Sequence, residues 1–341
     1  MLSLGIDYGT RSWKIALLQE RDVVDLQEFE DGFQVLTYLD EITSRYPSLP
    51  MVLPSGFGIP LKKVQDITAQ DIFEMTLKKG EPREQGLGLF LGAAKMRRVH
   101  AYCIPAVKLL PSIPAHRKVN KIDLGTSDKL CSLAFIEKVL LEKESGPSCS
   151  LFPAGKGDTD SPTKPKEPDP FQSMSFLMLE VGYAFTCLLV VKEGRIIDAL
   201  GGTAGCMGPK SRGCIDGEMA YLYGFDTKAQ IYSGGFLDLE ERFPGQGERA
   251  FWEGLEKELL AFMHFYRVGS ILLTGRNKGL IQEKLGDRYS IQILQNDREG
   301  YESAIGAAVL ANGIEGGLFE PLVTHLGIKE AHDRALDWIC Y

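Results

Sequence analysis

Asp7, Gly9, Thr10 and Ser12 fall close together near the start of the chain, in the stretch "GIDYGTRSWKIALL" that runs from Gly5 to Leu18. A carboxylate, a glycine and two hydroxyls at that spacing suit an anion. Gly9 lets backbone N–H groups approach a phosphate, the Thr10 and Ser12 hydroxyls add donors, and Asp7 holds a hydrated Mg2+. A plain turn explains the same residues, with Asp7 and Thr10 bonded to nearby backbone, so a phosphate site needs company elsewhere. A second stretch, "LEVGYAFTCLLVV" from Leu179, supplies it. Glu180 stands where Asp7 stood, Gly182 lies at the tip and Thr186 follows. Alone, Glu180 reads as a surface charge at a strand end; its place at a mirrored tip makes it a candidate metal ligand.

The elements that carry these residues are legible from periodicity. Leu4 and Ile6 lead into the first turn, and Trp13, Ile15 and Leu17 leave it with a period of two, which predicts a β-hairpin. A third strand around Val23 to Phe29, a helix near Gln34 to Arg45 and a helix from Ser127 to Lys143 follow. Residues 145 to 170, "SGPSCSLFPAGKGDTDSPTKPKEPDP", are rich in Pro, Ser, Gly and charge and are expected to be a disordered insert outside both cores. After them the order restarts, with three strands in 176 to 199, a glycine-rich loop, and a helix near 248 to 266. Two β-β-β-α halves suggest an internal duplication whose hairpin tips face a shared cleft, the place where a nucleotide would bind. The expected division is a first lobe over 1 to 144, a linker over 145 to 174 and a second lobe over 175 to 341, whose last helices return to the first lobe.

Composition narrows the function classes. The chain has 341 residues, 44% of them hydrophobic and 25% charged, enough for two domains with a core each. A net charge of −8 implies no basic face and no nucleic-acid partner, so a substrate phosphate depends on local donors. Seven cysteines without a Cys-x-x-Cys pair point to reduced thiols and a cytoplasmic protein. The best apolar run, 176 to 191, is interrupted by Glu180, so no membrane span is expected.

The paired hairpins resemble the phosphate-1 and phosphate-2 loops of the actin-like ATPase superfamily, and "ILLTGRNKG", Ile271 to Gly279, resembles its adenosine loop. Within that superfamily four stretches are similar to the acetate and butyrate kinases. They are "DYGTRSWKIALL", "EVGYAFTCLLVVKEGRIIDALGGTAG", "MGPKSRGCID" at 207 to 216, and "REGYESAIGAAVLANGIEG" from Arg298. Together they make the chain similar to the mainly archaeal predicted butyrate kinases. The resemblance implies an α/β, two-lobed, ribonuclease H-like fold with duplicated β-β-β-α-β-α-β-α domains. It also implies ATP and Mg2+ as cofactors and phosphoryl transfer to a small-molecule carboxylate. Phosphate contacts would come from Gly9, Thr10, Ser12, Lys14, Gly182, Tyr183, Gly201, Gly202 and Thr203, and adenosine contacts from Thr274, Gly275 and Arg276. Asp7 and Glu180 would serve the metal. Arg212 would be the catalytic charge clamp, with Lys210 as the alternative register.

The chain also departs from that pattern. Where acetate kinases carry histidines, "KIDLGTSDK" at 121 to 129 has Asp123 and Asp128. Asp123 is the candidate for ligating metal or orienting substrate in the cleft, together with Asp7 and Arg212, while Thr126 or Ser127 caps the following helix. Loss of the histidines keeps open a second class of function, an ATP-dependent switch acting on a partner protein. For an acceptor, "PSGFGIPLKKV" at 54 to 64 offers Phe57 and Ile59 as an apolar wall with Lys62 and Lys63 nearby, or simply covers a sheet edge. Ala304, Gly306, Ala307 and Ala308 allow a tight helix crossing between lobes. A homodimer is left open.

Overall fold

The computed structural model describes residues 1–9, 11–78, 86–145, 169–294 and 300–340. Thr10 and nearly all of the expected insert over 145 to 170 lie outside the described residues. The strands are β1 (Leu2–Tyr8), β2 (Trp13–Gln19), β3 (Asp22–Phe29), β4 (Met51–Val52), β5 (Gly58–Lys63), β6 (Ala101–Pro105), β7 (Phe176–Val181), β8 (Thr186–Lys192), β9 (Arg195–Leu200), β10 (Ile271–Thr274) and β11 (Ile291–Ile293). The helices are α1 (Gly32–Arg45), α2 (Ala69–Thr76), α3 (Leu87–Met96), α4 (Ala115–Lys118), α5 (Ser127–Ser145), α6 (Gly217–Tyr223), α7 (Lys228–Ile231), α8 (Phe236–Arg242), α9 (Gln246–Tyr266), α10 (Lys278–Leu285), α11 (Glu302–Ile314) and α12 (Glu320–His325).

Two sheets result, ordered β3-β2-β1-β4-β6-β5 and β9-β8-β7-β10-β11. In both, an antiparallel three-strand meander is extended by parallel strands beside its first member, β4 and β6 in one and β10 and β11 in the other. The first sheet differs by one antiparallel edge strand, β5. Set side by side, the halves repeat one topology, the expected duplication. Among the described residues no helix is long and apolar enough to cross a membrane.

The alternation along each strand fills three apolar layers. One face of the first sheet packs under α1 and α3, through Leu4, Ile6, Ile15, Leu39 and Phe90. One face of the second packs under α9 and α10, through Leu177, Leu188, Leu255 and Ile281. The other face of each sheet meets in a shared middle layer with α5 and α11, where Ala16 and Leu18 share a core with Leu130, Met178, Leu189 and Ala307. Helix α11 therefore leaves the second half and lies on β1 and α5. The approach is too close for side chains. A Cβ on Gly5 would stand 2.1 Å from the Ala304 carbonyl oxygen, and one on Gly306 would stand 1.7 Å from the Cys131 carbonyl oxygen.

Candidate functional site

The two hairpin turns are built alike. Gly9 N–H donates to the Ser12 carbonyl at 3.1 Å, and Gly182 N–H donates to the Phe185 carbonyl at 2.9 Å. Asp7 precedes the first glycine by two residues and Glu180 precedes the second by two, each at the end of its sheet's first meander strand. Both tips open on one cavity of about 1290 Å³, which exceeds the usual range for small-molecule sites and has room for a nucleotide and a second small molecule. Asp7, Gly9, Ser12, Lys14, Asp123, Glu180, Gly182, Tyr183, Gly202, Thr203, Gly275 and Arg276 all line it.

At its floor three carboxylates gather around one ammonium. Lys129 Nζ lies 2.5 Å from Glu180 Oε1 and 2.6 Å from Asp128 Oδ2. Glu180 is further held by the hydroxyls of Ser132 at 3.2 Å and Thr274 at 3.3 Å. Both Glu180 oxygens are thus engaged by the chain's own donors. Asp7 accepts only the Ser303 hydroxyl, at 3.2 Å, among the described residues. Burial, then the negative charges of Asp128 and Glu180, push its carboxyl up to about 7 against the pull of Lys129 and Lys14. Burial lowers the Lys129 ammonium, but Asp128 and Glu180 outweigh it and hold the group well above its usual value. Among the described residues no group of three or more His, Cys, Asp and Glu side chains forms a metal cage. The donor set nevertheless fits a largely hydrated Mg2+, which needs only one or two carboxylates and gains from uncompensated negative charge. Asp7 is the carboxylate with spare acceptor capacity.

Asp123 is committed elsewhere. Its Oδ2 accepts from the Thr203 N–H at 2.9 Å and the Thr203 hydroxyl at 2.8 Å, and its Oδ1 accepts from the Gly125 N–H at 3.0 Å. It reaches the cavity as a clamp joining the α5 approach to the glycine loop after β9. Gly201 stands behind it, since a Cβ there would lie 1.8 Å from Asp123 Oδ1. Thr126 precedes α5 at the capping position, where its carbonyl accepts the Lys129 N–H at 2.9 Å.

The adenosine-like loop follows β10, which pairs with β7 so that Thr274 lies beside Glu180. Gly275 takes φ of 84°, turning the backbone into the cavity at a place where a Cβ would stand 2.9 Å from the Val181 carbonyl. Arg276 then reaches across to the first half, with Nη2 at 3.4 Å from Glu28 Oε1 and 3.5 Å from Ser12 Oγ. Lys14 donates to the Gly300 carbonyl and lies 4.9 Å from the Tyr301 ring centre. Burial and then Arg276 lower its pKa.

Several expectations are corrected. Arg212 does not face the cavity. Its Nε donates to the Ser233 carbonyl at 2.9 Å and its guanidinium lies 5.1 Å over the Phe225 ring, because the 208 to 213 loop folds back on the 233 to 235 turn. Lys210 sits at the rim, 2.6 Å from the Tyr183 hydroxyl. Gly201 and Thr274 support the wall from behind. Phe57 lines the cavity, but Ile59 is wholly buried in the first lobe's core and Lys62 is paired with Asp71 at 2.9 Å. Lys129 was overlooked. It ends the stretch "KIDLGTSDK", and nothing local reveals that Glu180, far along the chain, faces it.

The chain matches the family described as protein of unknown function, DUF1464, over residues 5–148 and 162–341. It belongs to that family. No curated protein sequence matches it. Among solved structures, an acetate kinase from Entamoeba histolytica superposes with a TM-score of 0.53 at 10% identity, over 87% of this chain and 96% of that one. A glucokinase from Balamuthia mandrillaris in complex with glucose gives 0.43 at 11% identity, over 91% and 93%. The activator of the 2-hydroxyisocaproyl-CoA dehydratase from Clostridium difficile, with bound ADPNP, gives 0.42 at 11% identity, over 98% and 99%. At such identities the acetate kinase likeness shows the fold alone. With the repeated sheet topology, that fold is the two-lobed α/β architecture of the actin-like ATPases.

Proposed function

We propose that the protein binds Mg·ATP between its lobes and transfers the γ-phosphoryl group to a small carboxylate, in the manner of a butyrate or acetate kinase. The observation that carries this reading is the repeated turn. Two hairpins of one construction, each with a carboxylate two residues before its glycine, open on a single cavity beside a glycine-turned loop. Gly9 and Ser12 on one side and Gly182 and Tyr183 on the other would hold the phosphates, and Gly275 and Arg276 the adenosine. Asp7 would take the hydrated Mg2+, which when bound neutralises charge on the phosphate oxygens. In the transfer, an acceptor carboxylate oxygen bonds to the γ-phosphorus while the β,γ-bridging oxygen leaves with its electron pair on ADP. No proton has to move, so the absence of the acetate-kinase histidines does not forbid the step. Lys129, rather than Arg212, would balance charge at the cavity floor, which it lines together with Glu180.

A second reading, the nucleotide-dependent switch, is favoured by the position of Arg212 outside the cavity and by the bridge from Arg276 to Glu28 between lobes. Steady-state ADP release with Mg·ATP and acetate, propionate, butyrate or longer acids separates the two. Acid-dependent release supports the kinase. Tight ATP binding with no acid-dependent release promotes the switch.

A further inference from the structure

Helix α2 buries its charges beside Met75. Its two acidic residues, Asp71 and Glu74, are 1% and 4% exposed and face the protein. Lys62 Nζ and Arg334 Nη2 pin Asp71 at 2.9 and 2.7 Å, and Arg334 Nε holds Glu74 at 2.8 Å, so the C-terminal tail fixes the helix's rotation. A capping box between Thr68 and Asp71 fixes its start. The stripe left over, Ala69, Ile72, Phe73 and Thr76, has the i, i+3, i+4, i+7 spacing of a buried apolar face, yet it lines the cavity. The opposite wall is apolar as well. Phe185 and Tyr232 pack edge to face at 5.1 Å, and Phe57 completes the rim. Among the described residues two lysines line this region: Lys78 follows the helix, and the Lys228 ammonium lies 4.6 Å over the Phe57 ring and 3.2 Å from the Tyr232 hydroxyl. The compartment adjoins the carboxylate floor, since the Gly56 carbonyl accepts the Ser127 N–H at 2.8 Å.

We propose that the α2 stripe binds the apolar body of the acceptor, and that the acceptor is a monocarboxylic acid considerably larger than butyrate. Polar residues would serve a sugar or a short acid better; an apolar stripe turned toward the cavity by buried ion pairs serves a hydrocarbon. At ~1.5 Å per residue the stripe from Ala69 to Thr76 is about 10 Å long, the extended length of about eight methylenes. Positive charge from Lys78 and Lys228 beside the stripe favours an acid over an alcohol of the same size. The assignment of this compound as phosphoryl acceptor rests on the kinase reading above; its binding does not.

The test is calorimetric titration of the full chain with butyrate, hexanoate, octanoate and octanol, beside a separate titration with Mg·ATP. Each added methylene contributes ~0.8 kcal/mol, so affinity is expected to rise about fourfold per carbon. Phe73→Ser should weaken octanoate at least ~10-fold while changing butyrate little, and Thr76→Phe, which fills the stripe's end, should cut octanoate more than hexanoate. Lys228→Gln should bring octanoate down toward octanol. These shifts, with unchanged Mg·ATP affinity in the Phe73 and Thr76 variants, support the proposal. Affinity that is flat from butyrate to octanoate, or octanoate binding indifferent to both α2 substitutions, overturns it. Chain-length-dependent acid binding without Mg·ATP binding would uphold the tail site and remove the kinase reading; the reverse result would do the opposite.

Discussion

Burial, with Asp128 and Glu180 close by, pushes the Asp7 carboxyl up to about 7, far above an ordinary aspartate. A raised carboxyl contributes its full stability below the usual aspartate range and loses it as pH rises toward the folded value. Asp7→Asn should therefore raise Tm by a few degrees at pH 8 and change it little at pH 4, while weakening Mg-dependent nucleotide binding. Melts at the two pH values check this, and a lower Tm at pH 8 contradicts it. Glu137 follows the same sign through burial alone. It is fully buried in α5 with no hydrogen-bond partner for either oxygen among the described residues, and burial lifts its carboxyl well above the usual range. Glu137→Met should stabilise by roughly 1–3 kcal/mol at pH 7 in denaturant unfolding, with the gain narrowing toward pH 4. For turnover, Lys129→Met should cost roughly 10²–10³-fold, whereas Arg212→Ala should stay within about threefold, judged by steady-state rates. Asp7, Gly9, Glu180 and Gly182 were legible because turn chemistry is local. Arg212 was misplaced because a stretch of sequence similarity does not say which way a loop folds.

Helix α11 shows what an element must give up to lie where it does. Gly306 has no room for a Cβ against the Cys131 carbonyl, so Gly306→Ala should lower stability by at least ~1–3 kcal/mol through overpacking. Gly92 in α3 is the control, since a Cβ there meets nothing within 4 Å and Ala should be neutral or stabilising by up to about 1 kcal/mol. Denaturant midpoints of the two variants decide it, and equal effects would count against the close crossing. The hairpins, α1 and α9 could be read from periodicity, because one strand face or helix stripe meets a core, whereas α5 is buried on every side from Leu130 to Lys138. Strand β4 could not, being only Met51 and Val52 held between two neighbours. Nor could the orientation of α2. Its pattern offers two candidate inner faces, and the choice is made by Arg334, which lies at the other end of the chain.

The whole molecule is two copies of one topology joined by a shared middle layer, and its cavity is bridged at several places besides the Lys129–Glu180 pair. Asp123 holds Thr203, Arg276 reaches Glu28, and Lys228 covers Phe57. The duplication was visible in the sequence because both halves open with the same hairpin; the bridges were not, because each pairs residues far apart in the chain. Glu28→Gln removes one bridge on an exposed surface and should change stability by under about 1 kcal/mol, so any larger effect on nucleotide affinity reports on lobe geometry. The central claim is that the mirrored hairpins hold Mg·ATP. Titration calorimetry of the full chain with ATP at pH 7.5, with and without Mg2+, tests it most directly when run beside Asp7→Asn. The account predicts one site per chain, tighter with Mg2+ than without, and a Mg2+ enhancement that is lost in Asp7→Asn. Absence of binding at millimolar Mg·ATP, or binding indifferent to both Mg2+ and Asp7, would contradict it.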